Sequence, residues 1–292
     1  APGDRVALFA GNCVQYLEAM YGVWFTGAAA VPINAKLHAR ECAWIVENAQ
    51  AKLVIVSSDL ADELRAVLPP DAEMVRIDGP DFAAMKETQP LGEPTPMAAG
   101  DMLWLFYTSG TTGRPKGVMI TAGNIMATAL TYFVDVDEVT PQDAALYAAP
   151  LSHGAGLYNF MHVMRGARHV VPESGGFEPQ EILDLAKTLR NVSMFAAPTM
   201  VRRLVERAKV AGADGDGLKT VVYGGGPMYL ADIVEAVDVM GPRFVQIYGQ
   251  GESPMCITAL SRATIADRSH PRWRERLGSV GLAQSCMRVK VA

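Results

Sequence analysis

Residues 107–117 read Tyr-Thr-Ser-Gly-Thr-Thr-Gly-Arg-Pro-Lys-Gly, directly after the apolar run Met102-Leu103-Trp104-Leu105-Phe106. The hydroxyls of Thr108, Ser109, Thr111 and Thr112, the glycines 110 and 113, and the cations Arg114 and Lys116 form a set suited to a polyanion. Bare backbone N–H groups, hydroxyls and positive charge together replace the hydration of phosphate. A buried strand opening into such a stretch reads as a phosphate loop, with Thr108, Ser109, Gly110, Thr111, Thr112, Gly113 and Lys116 as its contacts. It is not the loop that ends in Gly-Lys-Ser/Thr. Counted from Gly110, that pattern needs Gly at 115 and Ser or Thr at 117, where this chain has Pro115 and Gly117.

Three further stretches carry chemistry. Pro150-Leu151-Ser152-His153-Gly154-Ala155-Gly156 presents an imidazole on a turn whose glycines let the chain pass close to a ligand or another backbone. Tyr223-Gly224-Gly225-Gly226-Pro227 closes the apolar strand 218–223, and the carboxyl end of a parallel strand is where open α/β sheets bind ligands. Its glycines are no dinucleotide fingerprint, because the third position falls on Tyr229. Tyr248-Gly249-Gln250-Gly251-Glu252 ends the strand 244–247 with a ring that can stack a base and a carboxylate that can hold a hard metal ion through oxygen. Singly, a hydroxyl-rich turn or a lone histidine is more often structural; together and in this order they are not.

All four stretches resemble the signature motifs of the adenylate-forming superfamily, which includes acyl-CoA synthetases, nonribosomal-peptide adenylation domains and firefly luciferase. The resemblance implies an acid–thiol ligase of the acyl-CoA synthetase branch that uses ATP, Mg²⁺ and coenzyme A. It places the phosphates on Thr108 to Gly113 and Lys116, and the acid on His153, Tyr223, Gly224 and Gly225. The nucleotide falls against Gly225, Gly226, Pro227, Tyr248 and Gly249, and the metal on Thr108 and Glu252. Catalytic weight falls on Lys116, His153 and Glu252. Gly251 departs from the pattern, since most relatives carry a Thr there that bonds the α-phosphate. Amino-acid-activating relatives usually hold the substrate ammonium with an Asp near the histidine motif. No acidic residue lies between Asp143 and Glu173, so an apolar acid, fatty or aromatic, is expected. Two other readings stand beside this one: loading of an acyl carrier protein instead of free coenzyme A, and a catalytically incomplete nucleotide- or acyl-binding module. The turn at 277–281 resembles the segment that precedes the family's ribose-binding Asp, hinge and small C-terminal domain with its catalytic Lys. The chain is therefore expected to cover the middle of that architecture and to be short at both ends.

The elements that must position these residues alternate. Apolar runs at 6–9, 29–33 and 53–56 flank helical patterns at 14–25 and 39–48, and further strands at 102–106, 144–149, 192–197, 218–223 and 244–247 alternate with helices at 124–133, 179–189, 199–208 and from 230. This predicts an α/β fold with mostly parallel, doubly wound sheets and flanking helices. Residues 86–100 hold three prolines and two glycines with little periodicity, which suggests a connector between a first subdomain, 1–85, and a second, 101–292.

With 292 residues, a formal net charge of −5 and 50% hydrophobic content, the chain can bury a sizeable core and does not resemble a protein held to nucleic-acid phosphates. Cys13, Cys42, Cys256 and Cys286 form no Cys-x-x-Cys pair, so neither zinc nor a redox couple is indicated. The longest uncharged stretches are broken by Gly, Pro and polar residues, and no signal peptide is expected before Asp4. A cytoplasmic enzyme of small molecules is expected, without nucleic-acid or integral-membrane partners and with a homodimer allowed.

Overall fold

The computed structural model describes residues 1–108 and 115–290. The chain forms two compact units, Ala1–Ile125 with Leu151–His153, and Met126–Pro150 with Gly154–Ala292.

In the first unit the alternation of the sequence becomes β1 (Arg5–Phe9), α1 (Val14–Phe25), β2 (Ala29–Ile33), α2 (Ala39–Ala49), β3 (Leu53–Val56), α3 (Ser58–Arg65), β4 (Glu73–Arg76), α4 (Pro80–Lys86), β5 (Met102–Thr108) and β6 (Lys116–Thr121). The strands lie in the order β4-β3-β1-β2-β5-β6, parallel except for β6. All five residues of β2 are buried, as a central parallel strand covered on both faces requires. Trp24 of α1 donates from Nε1 to the carbonyl of Leu103 at 2.9 Å, and its ring lies 6.1 Å from that of fully buried Trp104. The strand that ends at Thr108 is thereby fixed to the helix beneath it.

Residues 87–101 carry neither helix nor strand, yet the sheets do not divide there. β5 pairs with β2 and β6 with β5, so both belong to the first sheet. Pairing and the burial of Trp104 and Leu105 outweigh the composition of the preceding segment. The expected start of a second subdomain at 101 is corrected accordingly.

The helix α5 (Ala122–Thr131) begins in the first unit, whose longer segment ends at Ile125, and continues into the second, which goes on with the π-helical turn Tyr132–Val136, β7 (Ala144–Leu146), α6 (Gly154–Leu157), α7 (Asn159–Met164), β8 (Arg168–Val170), α8 (Pro179–Leu189), β9 (Val192–Ala196), α9 (Pro198–Ala211), β10 (Leu218–Tyr223), α10 (Leu230–Met240), β11 (Phe244–Gln250), β12 (Ser253–Leu260), α11 (Arg262–Ala266), α12 (Trp273–Leu277) and β13 (Leu282–Ala283). The sheet of the second unit runs β13-β12-β11-β10-β9-β7-β8, with β12 and β13 antiparallel. Val192, Met194, Val221 and Phe244 from the strands meet Ile182, Leu204 and Ile233 from the helices in one core. On α9 the buried stripe is Val201, Leu204, Val205 and Ala208, and Arg202, Arg203 and Arg207 form the exposed face, as expected. The two mostly parallel sheets with flanking helices bear out the expected fold class. No helix among the described residues is long and apolar enough to cross a membrane.

Candidate active site

In the first unit, Thr108 ends β5 and Lys116 begins β6, and the two are direct register partners. The stretch between them thus joins two antiparallel strands, with its first hydroxyl and its last cation held opposite each other. Sequence reasoning did not find β6. Ser109, Gly110, Thr111, Thr112 and Gly113 lie outside the described residues. Lys116 is exposed and makes no hydrogen bond or ion pair among the described residues.

His153 belongs to the same unit. The turn before it is tied down by Leu151, whose N–H donates to Asn12 Oδ1 at 2.8 Å. The imidazole Nδ1 lies 2.9 Å from Ser152 Oγ, and the ring stands edge-on to Phe106 at 5.6 Å and 89°. Burial pushes its pKa below the ordinary histidine value, because water no longer stabilises the cation. The ring is therefore neutral near pH 7, with Nε2 as the nitrogen that has no partner among the described residues. A cavity of about 410 Å³ opens here, lined by His153, Thr108, Phe106 and Pro115 and, from the end of β2 and from α2, by Asn34 and Glu41. Glu41 also accepts from the His38 N–H at 3.0 Å as part of the cap of α2. Asn34 and Glu41 escaped the sequence reading, since only the pairing of β1, β2 and β5 brings them beside residues 106–108 and Pro115.

In the second unit, β10 and β11 are parallel neighbours, so the two stretches at their carboxyl ends emerge at the same edge of the sheet. Gly225, Gly226 and Pro227 are exposed there. Gly224 is held under them: a Cβ at that position would sit 2.6 Å from the carbonyl oxygen of Ile247. Tyr223 falls on the other side of the accounting. Its side chain is fully buried in the core and its hydroxyl donates to Gln246 Oε1 at 3.2 Å. Strand alternation turns this side chain inward with Val221. Only its backbone lies at the edge.

Tyr248 presents its ring at the surface, 37% exposed, and its hydroxyl accepts from Gln250 Nε2 at 2.9 Å. This pairing with Gln250, two residues on along the strand, carried no separate signal in the sequence beyond its i, i+2 spacing. Gln250 pairs with Ser253, so Gly251 and Glu252 form the two-residue turn of the β11–β12 hairpin. Glu252 is exposed and has no partner among the described residues. Among those residues no group of three or more His, Cys, Asp or Glu side chains could hold a metal by itself. A lone accessible carboxylate fits Mg²⁺ nonetheless, because this ion takes one or two carboxylates and completes its shell with water and phosphate oxygens.

Compared with known proteins, residues 1–292 match the family described as AMP-binding enzyme. A feruloyl-CoA synthase from Amycolatopsis is 30% identical over 293 residues, covering 100% of this chain and 56% of the relative. The N-terminal domain of FACL13 from Mycobacterium tuberculosis superposes with a TM-score of 0.84 at 27% identity, over 98% of this chain and 70% of that one. O-succinylbenzoate coenzyme A synthetase (MenE) from Bacillus subtilis, in complex with AMP, gives a TM-score of 0.79 at 26% identity, over 97% and 68%. The chain spans about half the length of the curated relatives it matches.

Proposed function

The chain belongs to the AMP-binding enzyme family, and we propose from that premise that the whole protein joins an apolar carboxylic acid to coenzyme A through an acyl-adenylate formed from ATP. The observation that supports this furthest is the carboxyl edge of the second sheet, where an exposed Gly-Gly-Pro turn and an exposed Glu252, without a partner among the described residues, leave neighbouring parallel strands. That is the place and the residue set for a nucleotide with a divalent cation.

In the proposed reaction a carboxylate oxygen attacks the α-phosphorus of ATP, and the bond to pyrophosphate breaks as the acyl–phosphate bond forms. The thiol sulfur of coenzyme A then attacks the acyl carbon and AMP leaves. Neither step needs a protein nucleophile, so the work is positioning and charge neutralisation. Lys116, with residues 108–113, takes the negative charge growing on pyrophosphate. Tyr248 offers its ring to adenine, held in orientation by Gln250, and the backbone of Gly225 to Pro227 lies along the nucleotide. His153 is neutral and engaged at Nδ1 by Ser152. With the Ser152 hydroxyl donating to Nδ1, Nε2 carries the proton and orients the acid's carboxylate without adding a competing charge. Glu252 would hold Mg²⁺ through its carboxylate oxygens, and the ion would supply further neutralisation of the phosphates.

Glu252→Gln tests this assignment. Because Glu252 is exposed and has no partner among the described residues, the substitution is expected to change stability by no more than about 0.5 kcal/mol. The Mg²⁺ concentration giving half-maximal AMP formation should nonetheless rise by roughly ten-fold, as loss of about 1.4 kcal/mol of ion affinity requires. A Mg²⁺ titration superimposable on that of the unsubstituted protein would remove Glu252 from the metal site.

A further inference from the structure

Inside the second unit a ladder of rings leads inward from the glycine turn. The Cβ position of Gly225 faces Phe195 Cζ at 3.8 Å. Phe195 stacks on Tyr158 at 5.6 Å, Tyr158 stands edge-on to Tyr132 at 5.8 Å, and Tyr132 lies 6.4 Å from His162. His162 in turn meets His169 at 6.4 Å. Three polar atoms of this ladder, Tyr158 Oη, His162 Nε2 and His169 Nε2, are buried and have no hydrogen-bond partner among the described residues. Tyr158 and His162 are themselves only 5% and 1% exposed.

The hydrogen bonding of His162 fixes what it lacks. Its Nδ1 lies 2.7 Å from the backbone carbonyl of Tyr158. A carbonyl only accepts, so Nδ1 carries the proton, and burial keeps the ring neutral. Nε2 is then a bare acceptor in an apolar, aromatic interior, which is unfavourable while it stays unpaired. An alkyl chain reaching this depth would leave it unpaired. A hydroxyl on an aromatic ring would donate to it while the ring itself lies among rings.

We propose that the second unit selects an aromatic acid bearing a hydroxyl at the end remote from its carboxylate, with His162 Nε2 as acceptor of that hydroxyl and Tyr158 Oη as its second polar neighbour. This rests on the reading of the chain as acid-activating and names the class of acid. The rings close on one another, so entry of the acid parts the Phe195–Tyr158 stack, and pairing of the buried acceptor offsets part of that displacement.

The probes are 4-hydroxycinnamate and cinnamate, which differ by the one hydroxyl, with a medium-chain alkyl acid as third ligand. Calorimetric binding to the full-length protein and acid-dependent ATP–pyrophosphate exchange are both measured. The hydroxylated acid is expected to bind and exchange better than cinnamate by about ten-fold or more, as a site built to pair a hydroxyl discriminates against its absence. His162→Phe should bring the ratio to within about two-fold, while His162→Gln, which keeps an acceptor, retains part of it. Melting curves of both variants identify any that fail to fold, and Tyr158→Phe provides an independent reduction of the ratio. Equal binding of the two cinnamates, no binding of either, or a ratio unmoved in a folded His162→Phe protein overturns the proposal and assigns the buried atoms to water. Exchange that is silent with every acid sinks the adenylation reading, and the binding ratio still decides the hydroxyl.

Discussion

Lys116→Ala lowers acid-dependent adenylation by about 10²–10³-fold, the loss expected when one donor aimed at developing transition-state charge is removed, and leaves the melting temperature unchanged. The separation of the two effects follows from where the residue sits. Lys116 is exposed at the first position of β6, opposite Thr108, and makes no hydrogen bond or ion pair among the described residues. Nothing in the fold leans on its ammonium group, so any large effect of its removal comes from the reaction. The loss should appear mainly in kcat, because the charge it answers is greatest as pyrophosphate departs. Lys116→Arg keeps the charge but not its shape, and an intermediate rate is expected. Single-turnover formation of acyl-adenylate alongside thermal melting checks both halves, and a variant that adenylates at the original rate removes Lys116 from the chemistry.

Gly249→Ala has the opposite character, acting through the fold first. A Cβ at 249 would lie 2.3 Å from the Met255 amide nitrogen and 2.9 Å from the Ser253 carbonyl oxygen. Both are backbone atoms, so no side chain can swing away to make room. The crowding arises because β12 bulges opposite this residue: Tyr248 pairs with Thr258 but Gln250 with Ser253, and Met255 within the bulge has φ +63. The hairpin must open, at about 3 kcal/mol, the upper end of what overpacking usually costs. Glu252 at its tip and Tyr248 at its base move with it, so adenylation falls together with stability. Urea unfolding midpoints and the Mg²⁺ dependence of AMP formation report the two effects. An alanine tolerated here without change in either would mean that the strand does not bulge toward Gly249.

These two residues show what a sequence makes legible and what it withholds. Lys116 and the Tyr248 to Glu252 stretch stand out because their chemistry is contiguous, placed where a strand pattern stops, and matched by the motifs of a known family. The reason for Gly249 was not accessible in that way. Its neighbours Ser253 and Met255 reach it only through the irregular register of β11 and β12, which pairwise spacing does not encode. The inward turn of the Tyr223 ring was hidden for a related reason: the motif says where the backbone goes, and the pleat of β10 decides which way the ring points. Asn34 and Glu41 reach the His153 cavity through the parallel pairing of β2 with the distant β5, Ala30 opposite Trp104. β5 likewise joins the first sheet despite a proline-rich segment that reads as a boundary. The orphaned acceptor of His162 depends on which carbonyl its other nitrogen meets, and only coordinates supply that.

The central claim is that this fold activates a carboxylic acid by adenylation. Its most direct measurement is incorporation of labelled pyrophosphate into ATP by the full-length protein, with and without an apolar or aromatic acid. Exchange is expected to require both the acid and Mg²⁺ and to collapse in Lys116→Ala. ATP binding without acid-dependent exchange, across alkyl and aryl acids alike, would contradict it and leave the chain a nucleotide-binding module.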